Sequence, residues 1–138
     1  MLLTVEKVIL LGEVEFFSSL PGEVLAEVSA HLEEVELGRD EMLVAKGDPG
    51  DSMFVVASGE VRVEDDNRES ARLGKGGFFG ELAALDPEER PFTVKACEES
   101  LVLKLGHESL YELITGYPDV ARNVIRYLCR SYRKSRGR

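Results

Sequence analysis

The sequence has no tryptophan, two cysteines and two histidines among its 138 residues, and these shortages exclude several classes of protein. Cys97 and Cys129 are too few for a disulfide framework, and free thiols suit a reducing cytoplasm. His31 and His107 lack the spacing of a metal-binding motif, so we expect no metal. The sequence also has no paired nucleophile and base and no Walker-type loop, so we expect no enzymatic activity.

Long apolar runs are missing as well. None approaches the roughly 18 to 20 residues that a membrane span requires, and the first residues lack the basic and apolar blocks of a signal peptide. We therefore expect a cytoplasmic location without membrane insertion. A hydrophobic share of 43% and a charged share of 31% predict a soluble globular fold, and the length fits one domain over residues 1–138.

Charge is distributed unevenly along the chain. The net charge is −9, yet residues 122–138 contain seven basic residues and no acid. The rest holds all 26 acids and 10 basic residues, a net charge of −16, which would repel nucleic acid, so we expect no such partner. The basic tail either attracts an anionic partner or complements the dipole at the end of a helix, and the sequence leaves both readings open.

Helical patterns lie at both ends of the chain. Thr4–Leu11 predicts a short helix capped by Thr4 and ended by Gly12, and residues 21–34 predict a second helix beginning at Pro21. Near the end, a helix follows His107, and another runs from Asp119 to about Arg133. The last helix carries one predicted apolar stripe, formed by Val120, Val124, Ile125 and Leu128.

Between the helices, short β-prone segments alternate with turns rich in glycine and acids. We predict strands at Met42–Ala45, Met53–Ala57, Val61–Glu64, Ala71–Leu73, Thr93–Ala96 and Leu101–Leu105. Short strands at close spacing are typical of a sandwich, barrel or roll, and we expect about eight of them. The predicted order is N-terminal helices over 1–34, a β region over 35–106 and C-terminal helices over 107–138.

The segment from Phe78 to Val94 carries the residues best suited to binding a ligand. Gly80 allows a backbone to approach a ligand closely, and a helical turn beginning at Glu81 would aim the N–H groups of Leu82 and Ala83 at an anion. Glu81 could accept a hydrogen bond from a ribose hydroxyl, and Arg90 could pair with a phosphate. Phe78 and Phe79 are expected in the core.

These motifs resemble the cyclic-nucleotide-binding domain family. The similarity covers nearly the whole chain and includes the following segments: Phe17–Leu20, Gly47-Asp48, Gly50-Asp51, Ser58-Gly59, Leu73-Gly74, Phe79-Gly80-Glu81-Leu82-Ala83, and Arg90 with Thr93-Val94. The resemblance implies an α+β, mainly β fold, an antiparallel β-roll flanked by helices. It also implies a phosphate-binding cassette over residues 79–94, with cAMP or cGMP as ligand.

The family's residue roles carry over where the residues match. Glu81 matches the acceptor for the ribose 2′-hydroxyl, and Gly80 and Leu82 match positions whose amides face the ligand. Arg90 matches the arginine that neutralises the cyclic phosphate. Thr93 matches a further family position. Tyr127 and Tyr132 on the last helix are candidates to cover a purine or, alternatively, to serve helix packing or lie on the exposed surface.

Two residues of the cassette depart from the family pattern. Pro91 stands where the family usually has Ala, Ser or Thr, and a proline offers neither an N–H nor a hydroxyl to the phosphate. Phe92 stands where a small residue is usual, and its ring would either fill the pocket or turn into the core. The alternative to nucleotide sensing is therefore a non-binding interaction or dimerisation module whose pocket Pro91 and Phe92 block.

Family members usually regulate another domain, so we expect the chain to be part of a larger, bacterial protein. The expected partners are a cyclic nucleotide and an effector domain of the same chain or of a partner protein. The last helix would pass on the signal, and its apolar stripe could instead pair with a second copy of the chain.

Overall fold

The computed structural model describes residues 1–137, so Arg138, the last residue of the basic tail, lies outside the described residues. The chain divides into two compact units. One contains His31–Leu110 together with Met1, and the other contains Leu2–Ala30 and the chain from Tyr111 onward. Within residues 1–137, none of the helices is both long and apolar enough to cross a membrane.

The first unit is an antiparallel β-roll of short strands. In chain order the strands are β1 Glu33–Leu37, β2 Met42–Val44, β3 Pro49–Gly50, β4 Ser52–Ser58, β5 Val61–Asp65, β6 Arg68–Leu73, β7 Phe78–Phe79, β8 Glu88–Glu89, β9 Thr93–Ala96 and β10 Ser100–Gly106. They form two four-stranded sheets, ordered β1-β10-β4-β7 and β2-β9-β5-β6, and a two-stranded ladder of β3 and β8. A short helix, α3 (Glu81–Leu85), follows β7. The predicted fold class is confirmed.

The core of this unit lies between the two larger sheets, since both contribute side chains to one buried cluster. Its members are Leu37, Phe54, Val56, Val61, Val94, Ala96 and Val102. Strand β4 is the most buried strand of the roll, because every residue from Ser52 to Ala57 is buried. Ser52 is therefore a buried polar residue at the start of an otherwise apolar strand.

The six strands predicted by position are present, and residues 1–137 contain four more, so the roll has ten short strands where about eight were expected. Residues 33–34 were assigned to a helix, which is wrong, because the second helix ends at Ala30 and β1 begins at Glu33. Strand β1 pairs antiparallel with β10, with Glu33 opposite Lys104 and Leu37 opposite Ser100. The alternation of acids with Val35 and Leu37 is a period-two pattern that suits a half-buried strand.

The second unit contains helices from both ends of the chain. Helices α1 (Thr4–Gly12) and α2 (Gly22–Ala30) pack against each other. Thr4 is the first helical residue of α1 and not its cap, and the N–H of Leu3 donates instead to Glu6 Oε1 at 2.8 Å. Pro21 precedes α2, and its carbonyl accepts hydrogen bonds from the N–H groups of Val24 and Leu25.

Two further helices complete the described chain. Helix α4 (His107–Gly116) begins in the β-roll unit and continues into the second unit, where α5 (Pro118–Ser135) follows. Buried Asn123 of α5 donates a hydrogen bond from Nδ2 to the carbonyl of Phe16, and Tyr127 packs edge-on against the Phe16 ring at 4.9 Å. Tyr127 therefore serves helix packing, one of the roles predicted for it.

Burial changes along the predicted apolar stripe of α5. Val120 and Val124 are buried, whereas Ile125 is 61% and Leu128 is 37% exposed. Residues 120, 124 and 128 follow the four-residue spacing of one helix face, whereas residue 125 lies further round the helix. The stripe is therefore buried at its N-terminal end and exposed at Ile125 and Leu128.

Candidate functional site

The β-roll unit contains a cavity of about 350 Å³. This volume falls within the range of small-molecule sites, roughly 300 to 1,000 Å³. Its lining residues are Val44, Val63, Leu73, Phe78, Phe79, Gly80, Glu81, Leu82, Ala83, Glu88, Arg90, Pro91, Phe92 and Val94. The wall is mostly apolar, with one cation, two carboxylates and the start of α3 as its polar features.

Arg90 is the cation of this cavity, and neutral groups hold its side chain. The residue is only 7% exposed. Its Nη1 donates to the Ser52 carbonyl at 2.9 Å and its Nη2 to Ser52 Oγ at 3.1 Å. The guanidinium carbon lies 5.7 Å from the centre of the Phe54 ring, within range of a cation–π contact. These contacts fix the position of the guanidinium group.

Two glycines leave room for the guanidinium. A Cβ atom at Gly50 would lie 2.7 Å from Arg90 Cδ, closer than real Cβ contacts allow. At Gly80, where φ is +84°, a Cβ would lie 2.9 Å from Arg90 Nη1 and 2.6 Å from the Ser52 carbonyl oxygen. Glycine is therefore required at Gly80 for both its backbone conformation and the close approach.

The backbone of Arg90 is held by the preceding glycine-rich turn. Its N–H donates to the Asp48 carbonyl at 2.8 Å, and its carbonyl accepts from the N–H of Gly47 at 2.8 Å. In the adjacent ladder, Gly50 pairs with Glu88 and Pro49 with Glu89. The turn at residues 46–50 therefore holds the Arg90 backbone by hydrogen bonds and leaves space for the Arg90 side chain at Gly50.

The charge of Arg90 is incompletely balanced. Burial lowers the pKa of its guanidinium group, and the negative charge of Asp51 acts in the opposite direction. Within residues 1–137, Arg90 forms no ion pair with a carboxylate. An arginine stays protonated at neutral pH, so the cavity presents a partly desolvated positive charge, which an anion would stabilise.

Helix α3 presents backbone donors at the same cavity. Gly80 precedes the helix, and the N–H of Ala84 donates to its carbonyl at 3.0 Å. The amides of Leu82 and Ala83 belong to the first turn, whose N–H groups have no acceptor within a helix. His107 Nδ1 lies 2.7 Å from the Ala84 carbonyl oxygen and so anchors the other end of α3.

The structure brings together seven of the eight predicted ligand-binding residues. Gly80, Glu81, Leu82, Ala83, Arg90, Pro91 and Phe92 all line the cavity. Thr93 is outside the lining, and its Oγ1 accepts a hydrogen bond from the Lys46 N–H at 3.0 Å. Phe78 and Phe79, expected in the core, are half-buried and also line the cavity.

Phe92 takes neither of the two positions expected for it. Its side chain lines the cavity, which remains open, and 41% of the residue is exposed. Pro91 is exposed at the same wall and supplies no N–H. The geometry does not favour the alternative of a pocket blocked by these two residues.

Sequence reasoning missed the residues that hold Arg90 by its side chain. Ser52 and Phe54 lie on β4, and Ser52 is 38 positions away from Arg90 along the chain. The only signal in the sequence was the glycine-rich turn that contains Gly50. No group of three or more His, Cys, Asp or Glu residues that could hold a metal ion occurs in the described part of the chain.

Comparisons with known proteins agree on one family. The family described as "Cyclic nucleotide-binding domain" matches residues 34–117. A cyclic nucleotide-gated potassium channel of Mesorhizobium japonicum is 33% identical, with 81% of this chain and 31% of the channel covered. A CRP-like cAMP-activated global transcriptional regulator of Mycobacterium tuberculosis is 25% identical, with 91% and 58% covered.

A solved structure extends the similarity to three dimensions. The N-terminal domain of a transcriptional regulator from Streptomyces coelicolor superposes with a TM-score of 0.84 at 35% identity, and the match covers 93% of both chains. This chain spans less than two thirds of the channel and of the mycobacterial regulator. The family match, the relatives and the shared fold together show that the chain belongs to the cyclic nucleotide-binding domain family.

Proposed function

We propose that the chain is a regulatory, non-enzymatic domain that binds cAMP or cGMP in the cavity beside Arg90. The observation that carries the proposal is the buried guanidinium, which has only neutral hydrogen-bond acceptors and lies in the same cavity wall as the first turn of α3. A cyclic phosphate carries one negative charge, which would balance the positive charge of Arg90. Charge-assisted hydrogen bonds would join the two groups. No metal takes part.

The other groups of the cassette are given the roles that the family resemblance implies for them. The amides of Leu82 and Ala83, in the first turn of α3, donate to the phosphate oxygens, and Gly80 lets the backbone approach them. Glu81 accepts a hydrogen bond from the ribose 2′-hydroxyl. The apolar wall receives the base. Thr93 acts indirectly in this proposal, since its hydroxyl holds the turn at Lys46.

Pro91 affects both affinity and selectivity. The family pattern has an N–H at this position, and losing a hydrogen bond to a charged group weakens binding by about 1.5–3 kcal/mol, or tenfold and more. Proline also has no hydroxyl with which to distinguish guanine from adenine. We therefore propose cAMP as the preferred ligand, with lower affinity than a cassette with a free amide would give.

Regulation requires that binding be passed to another domain. We propose that α5 passes on the change and that the effector is another domain of the same chain or a partner protein, located in the cytoplasm. In the two relatives named above, the region that matches this chain is only part of a longer protein. It makes up 31% of the channel and 58% of the transcriptional regulator. Pairing of two copies through the exposed residues Ile125 and Leu128 is a further partner proposal.

The experiment is a calorimetric titration of the purified chain with cAMP and cGMP. We expect binding that Arg90→Met weakens at least 100-fold, because methionine keeps much of the volume of the arginine stem but has no charge. Arg68→Met, on exposed strand β6, is the matched control and should bind as the unmodified chain does. The absence of heat with both nucleotides at millimolar concentration would contradict the proposal.

A further inference from the structure

We propose that Phe92 is the base-stacking residue of this site, so that an aromatic side chain of the cassette contacts the nucleotide base. This inference rests on the proposed function and specifies which side chain recognises the base. Phe92 has an unusual environment for a large apolar side chain, because it is 41% exposed and yet lines the cavity.

The end of the cavity suited to an anion fixes where a base can lie. Arg90 and the first turn of α3 are the groups suited to a phosphate, and Glu81 is suited to a ribose hydroxyl. With these ends engaged, the base must lie against the rest of the lining. Apart from Glu88, that part of the lining is apolar, and it includes three aromatic rings, those of Phe78, Phe79 and Phe92.

Of these three rings, Phe92 has its face available. The ring of Phe79 is stacked on Phe54 at 5.2 Å with an interplanar angle of 23°. Phe78 is half-buried in β7, where it pairs with Val55 of β4. Within residues 1–137 the Phe92 ring forms no stacking or cation–π contact. A nucleobase prefers such a free aromatic face, as in single-stranded nucleic acid sites.

The backbone on both sides of Phe92 is fixed before any ligand arrives. Arg90 is bound to the turn at Gly47 and Asp48, and Thr93 is bound to Lys46. Pro91 between them restricts its own φ to about −65°. A fixed backbone around Phe92 lowers the ordering cost of binding. The two departures from the family pattern therefore act together: Pro91 removes a phosphate donor, and Phe92 adds a contact to the base.

The test uses the absence of tryptophan from the chain. Phe92→Trp creates a single-tryptophan protein whose fluorescence should be quenched by cAMP and cGMP. The base-free probe, methyl riboside 3′,5′-cyclic phosphate, should bind without quenching. A Trp signal that responds equally to the base-free probe would overturn the inference, because it would report binding without stacking.

Affinities provide the second readout. Phe92→Ala should weaken cAMP binding about tenfold or more, the loss expected for one stacked base, and leave the affinity for the base-free probe unchanged. Phe92→Leu should also lose affinity, whereas Phe92→Tyr should retain it, because stacking needs a flat ring and space filling does not. The exposed side chain makes all four variants compatible with folding.

The competing position for a base-covering side chain is Tyr132 on α5, which is 62% exposed and carries Arg136 over its ring. If Tyr132→Ala weakens cAMP binding and Phe92→Ala does not, the inference is wrong while the proposed function stands. If the unmodified chain binds neither cAMP nor cGMP, both are wrong. Equal cAMP affinities of the unmodified chain and Phe92→Ala would overturn the inference alone.

Discussion

Arg90 is a charged side chain in a place where charge is costly. Buried arginines are usually paired with carboxylates, because neutral acceptors compensate only part of the lost hydration. Here the Arg90 guanidinium donates both of its hydrogen bonds to Ser52, one to the carbonyl and one to the hydroxyl. The ring of Phe54 lies within cation–π distance. An anionic ligand would supply the missing charge, so the residue is more useful for binding than for stability.

A substitution at Pro91 tests whether the phosphate lies next to this residue. Replacing it with alanine restores an N–H next to Arg90, so Pro91→Ala should bind cAMP about tenfold or more tightly in calorimetry. Pro87→Ala is the matched control, since Pro87 is exposed in the same loop and outside the cavity lining. An affinity of Pro91→Ala that is equal to or weaker than that of the unmodified chain would show that no phosphate oxygen lies near residue 91.

Local sequence pattern and the family resemblance together predicted part of the cavity lining. The glycine, the acid and the arginine of the cassette were predicted because they are chemically suited to a nucleotide and match the family's motif. Ser52 and Phe54 were not predicted, because their contacts with Arg90 depend on β4 and the cassette meeting in the folded roll. The position of Phe92 also depends on that packing and was not predicted.

At the scale of elements, the turn at residues 46–50 and the β3–β8 ladder form the support of the site. A methyl group at Gly50 would collide with the Arg90 side chain and displace its guanidinium. Gly50→Ala should therefore weaken cAMP binding about tenfold or more, since charge-assisted hydrogen bonds depend on position. Calorimetry at matched protein concentration measures the effect.

The control for this variant is Gly74→Ala. A Cβ at Gly74 meets nothing within 4 Å, and Gly74 does not line the cavity. We expect its affinity to equal that of the unmodified chain. If both alanine variants bind equally well, the turn does not position Arg90, and the support assigned to it is wrong.

Element boundaries show where sequence patterns are ambiguous. The longer strands were predicted because β-branched and apolar residues alternate there with polar ones. The two-residue strands β3 and β8 have no pattern of their own, because only pairing in the folded chain defines them. Strand β1 was partly assigned to a helix because Leu32 continues the helical spacing of Val28, although the helix ends at Ala30.

For the whole molecule, the question is how a ligand in one unit affects the other. All residues that line the cavity belong to the β-roll unit, whereas α5 belongs to the second unit. A ligand can shift the state of α5 only by the difference in its affinity for two states of the protein. The proposed signal therefore requires that saturation with cAMP alter residues 119–133.

The measurement that tests the central claim most directly is an NMR titration of the isotopically labelled chain with cAMP. We predict saturable shifts of the Arg90 Nε–H and of the Gly80 and Leu82 amides, followed by changes over residues 119–133. Shifts at Arg90 and α3 without changes at 119–133 would support binding and contradict signalling through α5. Unchanged signals at Arg90, Gly80 and Leu82 at saturating cAMP would contradict the claim that this cavity binds a cyclic nucleotide.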